Sequence, residues 1–211
     1  MTPGLWFDME GALLLLADSQ LLFRQDKAPE LHCRMKERFP NGIEVAYLGA
    51  SNDHDPEFYE LACAGICALI GQECVVHPVC SERDLPQPCP VVVLAGGSVA
   101  KGWEMLRRAP VQTWLQRCRG LEGSVIIGVS AGAMHLASGF DPEQPQHGLQ
   151  TFLNWFPHPV AVHEEESGWP SLQGPAGIGI PMGAGLWVEG NEKTQWQKLG
   201  CTEFKVIGWP F

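Results

Sequence analysis

The segment Gly128-Val129-Ser130-Ala131-Gly132 reads G-x-S-x-G where an apolar run, Ser124 to Val129, meets small residues that suit a sharp turn into a helix. In that setting the pattern is a nucleophile elbow. The turn forces its central residue into a strained conformation and lifts the side chain above the sheet, and bulkier neighbours would collide with the adjacent strands. Ser130 is therefore the candidate nucleophile, against the plainer reading of a Gly/Ser turn that closes a strand. A serine hydroxyl attacks well only when a base takes its proton. Of the seven histidines, His163 ends the apolar strand Pro159 to Val162 and precedes Glu164-Glu165-Glu166. In an extended segment residues i and i+2 share a face, which predicts Glu165 as the orienting carboxylate. Asp141 and Glu143, in the loop after the serine helix, are the competing acids, and His158, flanked by prolines and aromatics, is the rival base.

Attack on a carbonyl creates an oxyanion that needs fixed amide donors. Ala131 follows the nucleophile and supplies one. Gly96-Gly97, directly after the apolar run Val91 to Ala95, has the form of the second, because glycine lets the backbone approach a substrate closely. His135, one helical turn beyond Ser130, is expected to wall the pocket. Ser98, Asn52 in the Ser51-Asn52-Asp53 turn, and Trp155 among the aromatics of residues 139 to 157 complete the expected substrate contacts. The phosphate-loop pattern G-x-x-x-x-G-K-[ST] is absent and Gly96-Gly97 completes no G-x-G-x-x-G fingerprint, so no nucleotide cofactor is expected. Nor is a metal: the eight cysteines form no C-x-x-C pair, and Cys63 and Cys67 are four apart on one helix.

These residues need a scaffold that delivers them to one place. Apolar runs alternate with amphipathic ones, as in a mostly parallel sheet covered by helices on both faces. Strands are predicted at Ala12 to Ala17, Ile43 to Gly49, Cys74 to Val79, Val91 to Ala95 and Ser124 to Val129. The intervening helices run from about Ala28 to Arg38, Pro56 to Ile70, Val99 to Arg108 and Val111 to Arg119. Residues 139 to 157 show no clean period and are read as a loop or partly helical lid, and short strands follow at Pro159 to His163, Gly177 to Ile180, Gly185 to Val188 and Phe204 to Ile207. The 211 residues suit one α/β domain. Fourteen Lys and Arg against 24 Asp and Glu leave a net charge of −10, which gives no support to binding nucleic acid or an anionic membrane. No run of 18 apolar residues and no positively charged leader is present, and the cysteines read as reduced, so a soluble cytoplasmic chain is expected.

The run VVVLAGGS, then SVIIGVSAGAM, then Phe156-Pro157 before the strand ending at His163, then GIPMGAG, resembles the peptidase E and cyanophycinase group of serine peptidases. The order of these landmarks covers nearly the whole chain. The resemblance implies the class I glutamine amidotransferase-like fold, a flavodoxin-like three-layer sandwich, with Ser130 where true amidotransferases carry a cysteine. It also implies hydrolysis of a peptide or isopeptide bond of a small peptide through an acyl-enzyme. The sequence alone does not assign the oligomeric state. Between Arg119 and Lys193 there is no Lys or Arg, so strict selection of an aspartyl side chain lacks its counter-ion in this stretch. The acidic residues there and Asp53-His54-Asp55 would favour a free amino terminus or a basic group. Two other readings use the same residues: a non-catalytic binding or regulatory module, and an esterase or acyl-transfer enzyme.

Overall fold

A computed structural model describes residues 11–141, 143–144, 147–172, 176–189, 196–200 and 203–208. Its centre is strand β1 (Ala12–Leu16), whose five residues are all buried. Alternate side chains of a strand point to opposite faces, and Leu13 and Leu15 join one core cluster while Ala12, Leu14 and Leu16 join the other. A strand with apolar residues at every position is therefore covered on both sides. On one face lie α2 (Pro29–Arg38) and α3 (Pro56–Ile70), which contribute Leu31, Met35, Ile66 and Leu69 to the core. On the other lie α4 (Val99–Leu106), α5 (Ala109–Arg119) and the short α6 (Ala131–His135), with Met105, Leu115 and Met134.

Strands β2 (Ile43–Leu48), β3 (Cys74–Val79), β4 (Val91–Leu94) and β5 (Val125–Val129) extend the sheet from β1 in the order β1-β5-β4-β2-β3, all in parallel. On the other side of β1, β10 (Ala184–Val188) and β11 (Trp196–Gly200) add in antiparallel sense, giving seven strands among the described residues. The α/β sandwich read from the sequence is thus the observed architecture. Helix α3 begins and ends where its residue types dictate. The Asp55 side chain caps it by accepting from the Glu57 amide, Pro56 fits the first turn, and Gly71 closes it.

The described residues between 139 and 157 include strand and core positions that the lid expectation did not foresee. Strand β6 (Ser138–Phe140) pairs antiparallel with β7 (Leu149–Thr151), and Phe152, Trp155 and Phe156 are buried in the core. Three-residue strands are too short to show a period, which is why the pattern hid them. The sequence also gave no sign of α1 (Gln20–Phe23) or β11, both too short or too polar to stand out. A separate three-stranded sheet joins β8 (Val160–Val162), β9 (Gly177–Ile180) and β12 (Lys205–Ile207). The seven described cysteines are free thiols, and Cys201 lies outside the described residues. No helix among the described residues is long and apolar enough to cross a membrane.

Candidate active site

The parallel strands β1, β2, β4 and β5 deliver their following loops to one edge of the sheet, the edge where open α/β sheets bind ligands. Ser130 sits there between the end of β5 and the start of α6, with φ 52° and ψ −113°. A non-glycine residue in such a conformation costs of order 1–3 kcal/mol and persists only where its surroundings hold it. Those surroundings are visible. The Ser130 amide donates to the Leu16 carbonyl at 2.8 Å. Helix α6 passes so close to β4 that a Cβ on Gly132 would lie 2.1 Å from the Leu94 carbonyl oxygen. Only small residues at the elbow permit that approach.

His163 comes from the other sheet. It follows β8, turns the chain at φ 43°, and its amide donates to the Ile180 carbonyl at 2.9 Å. Its Nε2 lies 2.9 Å from Ser130 Oγ. With the hydroxyl donating and Nε2 accepting, this is the arrangement a serine needs to lose its proton on attack.

The carboxylates expected to complete a triad are elsewhere. Glu165 accepts from the Met182 amide at 3.0 Å, Asp141 is buried and accepts from the Glu143 amide at 2.9 Å, and Glu143 accepts from Ser98 Oγ at 2.7 Å. The i, i+2 argument for Glu165 assumed an extended chain. Instead the backbone reverses at His163 and enters a 3-10 turn at Glu165–Ser167, so the two side chains do not share a face. Among the described residues no carboxylate is hydrogen-bonded to His163, and the geometry is that of a Ser–His pair.

The expected backbone donors lie beside Ser130, Ala131 next to it in the chain and Gly96 against it in space. Ala131 opens α6, so its N–H has no acceptor within the helix. A Cβ on Gly96 would stand 3.2 Å from Ser130 Cβ, which puts this glycine against the nucleophile. Gly97 has φ 129°, and a Cβ on it would lie 2.2 Å from the Ser51 carbonyl oxygen, so no other residue fits.

Beside Ser130 and His163 opens a cavity of about 320 Å³. Asn52, Gly96 and Gly97 line it, and Asn52 also donates from Nδ2 to the Tyr47 hydroxyl at 3.0 Å. Other expected contacts do not reach it. Ser98 is engaged with Glu143, and Trp155 is packed in the core, with the Arg119 guanidinium 4.7 Å from its ring centre. The aspartates of the Asp53-His54-Asp55 turn are also spent elsewhere, on Lys101 and on the α3 cap. Sequence reasoning missed Asp18, which follows β1 at the same sheet edge. Its carboxylate accepts from the Gln20 and Gly183 amides, both at 2.7 Å. Asp18 and Glu165 thereby fasten the Pro181–Gly183 turn beside the cavity from two sides. The signal that could have found Asp18 was its position directly after an apolar strand.

His135 lies beneath the site rather than in its wall, fully buried between Trp103 and Phe152. Its Nε2 faces the Val99 carbonyl at 2.8 Å, and since a carbonyl only accepts, Nε2 carries the proton. Among the described residues the buried Nδ1 has no partner, so an imidazolium would have a donor with nothing to bond. Burial accordingly pushes its pKa from the ordinary 6.5 down to about 4. A folded value below the unfolded one means that the unfolded chain binds more protons between the two. Stability is then complete above pH 6.5 and falls as the pH drops towards 4. Urea unfolding at pH 7 and pH 5 should show this group removing about 2 kcal/mol at the lower pH. His135→Gln should shrink the difference between the two pH values by about that amount, and an unchanged difference would refute the assignment.

The mostly parallel α/β sheet covered by helices on both faces is a fold found in other proteins. Solved structures share it. A peptidase from an acI-B1 Actinobacterium superposes with a TM-score of 0.73 over 96% of this chain and 93% of its own, at 17% identity. A peptidase E candidate from Listeria monocytogenes EGD-e superposes with a TM-score of 0.62 over 92% of this chain and 100% of its own, at 16% identity. No protein-family model matches the sequence, and no curated protein is significantly similar to it.

Proposed function

We propose that this protein is a serine peptidase that hydrolyses a peptide or isopeptide bond of a small peptide through an acyl-enzyme on Ser130. The observation that carries the reading is the 2.9 Å contact between Ser130 Oγ and His163 Nε2 at the mouth of a cavity, with the serine held at a positive φ. His163 takes the hydroxyl proton as Ser130 attacks the carbonyl, and the Ala131 and Gly97 amides bear the oxyanion. The carbonyl–nitrogen bond then breaks as His163 returns the proton to the leaving amine. Water, deprotonated by the same imidazole, attacks the ester, and collapse restores the Ser130 hydroxyl and releases the acid. Peptidase chemistry, rather than esterase chemistry, is supported by the likeness to two solved structures described as peptidases. A cavity of about 320 Å³ is near the lower end of the range of roughly 300–1,000 Å³ for small-ligand sites, which favours one or two residues of a short peptide. The free thiols fit a reducing compartment such as the cytoplasm.

A fluorophosphonate should label the protein at Ser130, fail to label Ser130→Ala, and label His163→Ala at least tenfold more slowly. Wild-type protein that stays unlabelled would instead identify a non-catalytic module on the same fold.

A further inference from the structure

Resting on the Ser130 reading, we propose that the cavity beside Ser130 is a specificity pocket for an apolar, uncharged side chain. The substrates would be small peptides with a residue such as leucine, phenylalanine or methionine next to the bond cleaved, and acidic side chains would be excluded. Leu22, Tyr47, Phe58, Leu61, Ala62 and Met182 form its apolar wall. They come from α1, β2, α3 and the turn before β10, so the pocket exists only in the folded chain. Among the described residues six large apolar side chains are exposed, and three of them, Phe58, Leu61 and Met182, belong to this wall. Apolar surface left in water at the mouth of a cavity is surface that an apolar ligand can cover with gain.

Charge points the same way. Among the described residues no Lys or Arg lines the cavity, and Asp18 is the one carboxylate that does. A substrate carboxylate entering there would lose its water, gain no cation, and meet a like charge fixed by the Gln20 and Gly183 amides. Lys101 and Arg108 line a different surface hollow, together with Asp53 and Glu104.

The test uses aminoalkyl phosphonate esters, which modify a nucleophilic serine and carry a chosen side chain, alongside a fluorophosphonate without one. The leucine and phenylalanine analogues should modify Ser130 at least 100-fold faster than the aspartate analogue. Leu61→Arg, at the exposed rim, should slow the leucine analogue and speed the aspartate analogue by about tenfold each. Phe58→Arg places the same charge from the previous turn of α3, and circular dichroism checks that both variants are folded. Equal rates across the series, or a faster aspartate analogue, while the plain fluorophosphonate still labels Ser130, would overturn the pocket and leave the nucleophile standing. Loss of labelling by the plain reagent would overturn the Ser130 reading and the pocket with it.

Discussion

Replacing His163 with alanine is expected to lower kcat/KM by about 1,000-fold or more on any peptide the protein turns over, with almost no change in thermal stability. The size follows from the chemistry. Without an acceptor 2.9 Å from its oxygen, Ser130 must attack as an un-ionised alcohol, and both the proton removal and its return to the leaving amine are lost. The small stability effect follows from exposure, since His163 lies at the surface. Combining His163→Ala with Ser130→Ala should cost little more than either change alone, because the two groups act as one unit. Glu165→Gln separates a pair from a triad. Its carboxylate holds the Met182 amide and does not touch His163, so the amide side chain should lower kcat/KM by less than about tenfold. A 1,000-fold loss in that variant would show that Glu165 orients the imidazole during turnover. Active His163→Ala would remove the base from the mechanism altogether.

Gly132→Ala is expected to have the largest structural effect. The added methyl would stand 2.1 Å from the Leu94 carbonyl oxygen and 2.7 Å from its carbon, atoms of a central strand that cannot move aside as a side-chain tip can. Relief requires α6 to lift away from β4, and α6 begins at the residue after the nucleophile. The strain should lower unfolding stability by about 3 kcal/mol. A displacement near 1 Å at Ser130 should cost about 100-fold in kcat/KM beyond that. Gly120→Ala is the control: it has an ordinary φ of −78°, and its Cβ would come no nearer than 3.4 Å to the Gln116 carbonyl oxygen. Chemical denaturation and steady-state rates on the two variants measure both effects. Gly132→Ala that matches Gly120→Ala in both would mean that α6 is not pressed against the sheet.

Much of the machinery was legible along the chain because it is local. Strand, elbow and helix around Ser130 are contiguous residues, and the apolar runs of β1, β4 and β5 carry the double-sided burial that makes them central strands. The places of Ala131 and Gly97 are likewise set by sequence neighbours, and His163 was marked by the apolar strand that ends just before it. That no described carboxylate bonds His163 was not legible. The inference to Glu165 assumed that a strand continues through His163, and a positive φ at that residue, stabilised by the Ile180 carbonyl, turns the chain away. His135 and Trp155 were misread for a different reason: aromatic and imidazole rings serve equally well as pocket wall or as core, and only their packing partners tell which.

The chain by itself determined an α/β sheet, the strained serine and the histidine that answers it, since each depends on residue types within one short segment. The tertiary structure alone decided that the two meet at 2.9 Å, that Asp18 and Glu165 fasten the turn beside them, and that the neighbouring cavity is apolar. The wall of that cavity is drawn from residues 22 to 182, and side chains so far apart in sequence acquire a common environment only when packing brings their elements together.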